Sequence, residues 1–207
     1  AFRAIKTASE LIDLNQHTGA HPRIGATDVV PFVPLSCVSM NDCIAIAKRL
    51  GARVGSELKI PVYLYEAAAT RPERTNLENI RRGQYEALKA EMGVKPERDP
   101  DFGPNKVGPA GATVIGARNP LIAFNAYLTT GDQDIAKKIA KAIRNSSGGL
   151  RYVKGSGFLV DGRAQVSINL TNWRISSART SGCAGFISVK GVAAMNRLRA
   201  LSVPMPQ

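Results

Sequence analysis

Two histidines, His17 and His21, stand four residues apart and are the only imidazoles in the 207-residue sequence. An imidazole gains and loses its proton near neutral pH, so a His held on a loop can act as acid and base in one reaction cycle. A spacing of four also sets two metal ligands on one face of a helix. Gly19 and Pro22 argue against a helix here, and no Cys, Asp or Glu stands at a familiar ligand spacing beside the pair, so no metal site is expected. A plain hydrogen-bonded loop histidine remains the competing reading. The cysteines Cys37, Cys43 and Cys183 are odd in number and unpatterned, and none is set beside a His as a nucleophile would be. A second stretch with chemical potential runs over 93–111, with four prolines and four glycines. It reads as a long irregular loop whose glycines let backbone amides approach a flat ligand, with Lys106 able to meet a carboxylate. It is not a phosphate loop, because neither G-x-x-x-x-G-K-[ST] nor G-x-G-x-x-G occurs in the chain.

The elements that must hold these residues follow from periodicity. Ile5, Ala8, Ile12 and Asn15 share a helical face. Gly and Pro end that helix, and the β-branched and aromatic run Val29 to Leu35 predicts a strand whose pairing Pro31 and Pro34 limit. Ser39-Met40-Asn41-Asp42 is a capping-box start with Asp in the place of Glu. Cys43, Ala47, Leu50, Val54 and Leu58 make the stripe of the helix it opens, with Cys43 as a small core residue. Ile60 to Tyr65 predicts a strand. Arg71, Arg74, Arg81 and Arg82 predict a solvated face around a short helix at about 76–83, or else grips for substrate carboxylates. Strands are expected at Thr113 to Ile115 and Leu121 to Leu128, with a lobe boundary near Asn119-Pro120. Asp132 and Asp134 open a helix with the stripe Ile135, Ile139 and Ile143. Tyr152 to Val160 and Arg163 to Leu170 flank Asp161-Gly162, a two-residue hairpin signal.

Six segments carry a resemblance. A-H-P-R-I-G-A-T-D-V-V-P-F-V-P at 20–34, P-V-Y-L-Y at 61–65, D-F-G-P at 101–104 and G-A-T-V-I-G-A-R-N-P-L-I-A-F-N at 111–125 are similar, in order, to motifs of the formimidoyltransferase domain family. G-G-L-R-Y-V-K at 148–154 and A-Q-V-S-I-N-L-T-N at 164–172 continue it. The resemblance implies an α+β fold of two ferredoxin-like (split β-α-β) lobes. Both are expected to be incomplete: residues 1–119 as part of the amino-terminal subdomain, preceded in the family by further chain, and residues 120–207 as the carboxyl-terminal one. From about Trp173 the sequence departs from the family pattern, and Met195, Leu198 and Leu201 make only a thin helical stripe.

The resemblance also implies chemistry: transfer of the formimino group of N-formimino-L-glutamate to the N5 nitrogen of tetrahydrofolate, in histidine degradation. His21 is then the catalytic acid/base. Folate is held by Gly103, Pro104, Asn105, Lys106, Val107, Gly108, Pro109, Ala110 and Gly111. Tetrahydrofolate enters as a co-substrate, and the reaction calls for no metal. His17, nearer the helix end, serves packing or capping.

The formal charge of +12 bears on partners. The last acid is Asp161, and Arg163, Arg174, Arg179, Lys190, Arg197 and Arg199 follow it. Such a balance suits a polyanion, nucleic acid or a polyglutamylated folate alike. The basic segments lack interleaved aromatics and match no nucleic-acid motif, so no nucleic-acid partner is expected. No membrane-spanning run or leader is visible, and the unpaired cysteines suit a reducing compartment, so the expected location is cytoplasmic. A homo-oligomer is left open. The alternatives are a non-catalytic folate-binding fragment and a basic nucleic-acid-binding protein.

Overall fold

A computed structural model describes residues 1–19 and 21–172 and places the apolar run after His21 in a strand, β1 (Val29–Phe32). The chain divides into two units, Ala1–Asn119 and a second beginning at Pro120. In the first, β1, β2 (Val62–Glu66) and β3 (Thr113–Ala117) form a sheet of order β1-β3-β2 with both pairings parallel. Pro31 is tolerated because β1 is an edge strand and its other side needs no ladder donor. Alternate strand residues enter two cores. Tyr63, Tyr65 and Val114 pack with Leu14, Ile24, Tyr85 and Leu88 on one face. Val62 and Ile115 pack with Ile5, Ala47 and Val54 on the other.

Helix α1 (Phe2–Leu11) buries Ile5, but it stops short of the expected stripe. Asp13 takes the backbone N–H of Asn15 into a turn, so Asn15 leaves the helix and Ile12 is exposed. Helix α2 (Met40–Arg53) starts with the expected capping box. The Ser39 hydroxyl accepts from the Asp42 N–H at 3.2 Å, and the Asp42 carboxylate accepts from the Ser39 N–H at 2.9 Å. Cys43 is buried on its stripe. A π turn, Val54–Leu58, extends α2 and ends at Lys59 in the left-handed region.

Two expectations between β2 and β3 are corrected. The single helix at about 76–83 is two: α3 (Leu77–Ile80) and, after a turn, α4 (Gln84–Glu91). Nor is 93–111 wholly irregular. Pro96–Arg98 is a 3-10 turn, and Phe102, Gly108 and Gly111 make isolated bridges. The arginines explain how the loop is held. Arg74 is 2 % exposed, against the expected solvated face, and pairs with Asp101 at 2.7 Å. Asp101 also accepts from the Leu64 N–H at 2.8 Å and from the Thr70 hydroxyl. Arg98 donates to Glu91 and to the carbonyls of Ile80 and Arg82. A buried guanidinium tolerates this only with its carboxylate and carbonyl partners in place.

In the second unit β4 (Ile122–Tyr127), β5 (Val153–Val160) and β6 (Arg163–Leu170) form a sheet of order β4-β6-β5, both pairings antiparallel. Helix α5 (Gln133–Ile143) connects β4 to β5, so the strands it joins flank β6 in a split β-α-β arrangement. Asp132 caps α5, accepting from the Asp134 N–H at 2.8 Å. The buried face of α5 centres on Ala136 and Ala140 against Ala164 and Val166. Ile139 and Ile143 lie at its margin, because small residues let the helix approach the sheet. Asp161 and Gly162 have φ of 50° and 72°, the two-residue turn expected of the pair. Over the described residues the chain is thus α+β, in two ferredoxin-like lobes with three described strands in each sheet. The expected basic tail from Trp173, with Cys183 and the Met195 stripe, lies outside the described residues.

Candidate functional site

The loop 17–23 leaves α1 and reaches β1 with His17 and His21 both exposed. Its exit is paired to the end of the glycine-rich loop. Gly25 bridges Gly111, the Ala112 N–H donates to the Ile24 carbonyl at 2.8 Å, and the Ala26 N–H to that of Ala110 at 2.9 Å. On the α1 side the Leu14 N–H donates to the Pro109 carbonyl at 2.8 Å. Ile24 to Ala26, three to five residues after His21, therefore pair with Ala110 to Ala112 at the amino-terminal edge of the parallel sheet, one segment ahead of β1 and the other ahead of β3.

The segment from Gly103 to Gly111 divides into parts with different tasks. Gly103 and Gly111 have φ of 88° and 71°, which favours glycine. A Cβ on Gly111 would overlap the Ile24 carbonyl oxygen, and one on Gly103 the Ile60 carbonyl. Both are required by the fold. Gly108 is exposed and a Cβ there meets nothing within 4 Å. Val107 is buried among Leu14, Tyr85 and Leu88, and so belongs to the core. The Asn105 amide donates to Asp99 at 2.7 Å. Lys106 and Pro109 are exposed, and Pro104 and Ala110 half-buried. Gly103 and Pro104 border an open depression of about 430 Å³, lined also by Ala52, Gly55, Ser56, Lys59 and Phe102.

Residues that spacing did not single out hold the histidine loop. The Arg23 guanidinium reaches α4, donating to the Glu86 carboxylate at 2.7 and 3.0 Å and to Gln84 at 3.2 Å. It also donates to the His17 carbonyl at 2.9 Å. These hydrogen bonds hold the Glu86 carboxyl at about 2, well below the usual carboxylate range, and raise the Arg23 guanidinium. The Tyr85 hydroxyl donates to Asn15 at 3.0 Å and lies 3.4 Å from the Gly108 carbonyl, and burial raises its pKa. The H-P-R triplet contains Arg23, but nothing local in sequence points from it to Glu86. The arginines suggested as carboxylate grips have protein partners instead: Arg74 on Asp101, Arg81 on Asp28, Arg71 on the Pro96 carbonyl and Arg82 on Asn79. Among the described residues no group of three or more His, Cys, Asp or Glu side chains could hold a metal ion, and no helix is long and apolar enough to cross a membrane.

This arrangement defines a class: a two-unit α+β protein whose histidine-bearing loop runs into backbone pairing with a glycine-rich segment at one edge of a sheet. The comparisons narrow it. Residues 1–118 match the model of the formiminotransferase domain, N-terminal subdomain. A glutamate formimidoyltransferase of Thermoplasma acidophilum is 50% identical over 177 residues, which is 84% of this chain and 58% of that protein. One of Streptococcus pyogenes is 48% identical over 176 residues, with the same coverage. A formimidoyltransferase-cyclodeaminase of Dictyostelium discoideum is 44% identical over 190 residues, 87% of this chain and 35% of that protein. The chain belongs to the formiminotransferase domain family. It spans about 58% of the length of the two glutamate formimidoyltransferases.

Proposed function

We propose that this chain carries out tetrahydrofolate-dependent formimidoyl transfer, moving the formimino group of N-formimino-L-glutamate to N5 of tetrahydrofolate during histidine breakdown in the cytoplasm. The observation that supports it is the pairing of Gly25 and Ile24, just after the His21 loop, with Gly111 and Ala112, in a chain half identical to a glutamate formimidoyltransferase. Residues 1–119 serve as the amino-terminal subdomain. The unit from Pro120 serves as the carboxyl-terminal one.

In this reading Gly103 to Gly111 receives the folate. The exposed Gly108 offers close backbone approach, while Gly103 and Gly111 keep the loop's shape. N5 attacks the formimino carbon and a tetrahedral intermediate forms. His21 takes the proton from N5 and returns it to the departing glutamate nitrogen, and the carbon–nitrogen bond to glutamate then breaks. One imidazole suffices because it changes charge near neutral pH. No covalent nucleophile is required, and holding both substrates together supplies much of the remaining rate.

The test is to mix the protein with N-formimino-L-glutamate and tetrahydrofolate and follow 5-formiminotetrahydrofolate. The reading expects product to appear with enzyme-proportional velocity. A second reading is a non-catalytic folate-binding module. It expects tight binding of 5-formyltetrahydrofolate and no product.

A further inference from the structure

The histidine loop is exposed and rich in glycine and proline, yet an acid/base imidazole must hold its ring still to be useful. Arg23 stands two residues after His21, and its side chain is only 12% exposed. Its guanidinium joins both ends of the loop. One nitrogen donates to the His17 carbonyl at the loop's entry at 2.9 Å, while the Arg23 carbonyl at the exit accepts from the Tyr85 N–H at 3.0 Å. The fork grips the Glu86 carboxylate with two bonds, 2.7 and 3.0 Å. Gln84 supplies a third acceptor at 3.2 Å. Gln84 has a φ of 59°, a left-handed conformation that strains a non-glycine residue, so the chain bears strain where α4 meets Arg23. A planar guanidinium can serve a carboxylate, an amide and a carbonyl at fixed angles. A lysine ammonium cannot reproduce that fork.

We propose that Arg23, held by Glu86, is a positioning residue that fixes the loop carrying His21 and so orients its imidazole toward the reacting nitrogen. This rests on the reading that His21 moves the proton. The pair is not a stability device in the ordinary sense. Glu86 is 62% exposed, so the bond between them contributes little to folding. Its effect is geometric, since it lies across the neck of the loop.

The experiment uses the full chain labelled with 13C-histidine, whose two imidazoles are told apart with His17→Gln. Ring signals of His21 are compared, without ligand, in the unaltered protein, Glu86→Ala and Arg23→Lys. Glu86 is exposed on α4 and alanine favours helix, so Glu86→Ala keeps its fold even if Arg23→Lys does not. The expected result is that the His21 ring signals move and broaden in both folded variants while the melting temperature of Glu86→Ala changes little. His21 ring signals in Glu86→Ala that superimpose on those of the unaltered protein would overturn the proposal. Titration of the unaltered protein with 5-formyltetrahydrofolate tests the underlying reading separately. His21 signals that do not respond to it count against His21 as the reacting group. The ligand-free comparison still decides whether Arg23 fixes the loop.

Discussion

Gly108 and Gly111 are three residues apart in the same loop and answer to different constraints. Gly111 has a left-handed φ and no room for a Cβ against Ile24, so Gly111→Val should unfold or grossly destabilise the first unit. Gly108 has open space, so Gly108→Val should leave the melting temperature within a few degrees and weaken 5-formyltetrahydrofolate in a calorimetric titration. Unchanged affinity in that variant would remove Gly108 from the ligand site. Arg74 and Asp101 make a contrasting pair, 3% and 7% exposed as side chains. Arg74→Met would leave Asp101 buried without its cation, and a loss of about 3–5 kcal/mol is expected in denaturant unfolding. A loss under about 1 kcal/mol would mean the pair is open to water, as exposed pairs of that worth are.

At the scale of elements, the capping box of α2 is the clearest local instruction in the chain. Ser39→Ala removes a side-chain acceptor for the Asp42 N–H and should cost about 1 kcal/mol, read as a shifted denaturation midpoint with unchanged slope. This helix, α5 and the Asp161-Gly162 hairpin were legible because each carries its own signal: a cap, an amphipathic stripe or a turn that demands positive φ. Helix α4 was not. It buries only Tyr85 and Leu88, too few positions for a stripe, and it starts through Gly83 and Gln84, both with positive φ. The loop 93–111 looked irregular because its order comes from afar, through Arg74, Asp101 and Arg98. For the same reason His21 and the glycine-rich segment could be named from their motifs, while the clamp from Arg23 to Glu86, 63 positions away, could not. The site's place was also hidden. Open parallel sheets commonly bind ligands at the carboxyl ends of their strands, and here the segments that follow His21 and close the glycine-rich loop pair at the amino ends.

For the whole molecule, the carboxylates set the response to acid. Glu86 is held at about 2 against an ordinary 4.5, and Asp13, Asp42 and Glu91 are also lowered by their hydrogen bonds. A carboxyl lowered in the folded state stabilises it above the ordinary value, and that stability is lost as pH falls through the folded one. The melting temperature should therefore hold near neutrality and fall steadily from about pH 4.5 towards 2, with Glu86→Ala running nearly parallel because Glu86 is 62% exposed and water screens its pair. A markedly shallower fall in that variant would show that Glu86 carries the acid response. The central claim is that His21 carries the proton in formimidoyl transfer, and it is tested most directly by the steady-state rate of 5-formiminotetrahydrofolate formation in the unaltered chain, His17→Ala and His21→Ala. The account predicts that His21→Ala lowers kcat by about 10²–10⁴-fold with little change in KM, because the lost interaction belongs to the transition state, and that His17→Ala keeps near-normal turnover. Turnover in His21→Ala within a few fold of the unaltered chain would contradict it.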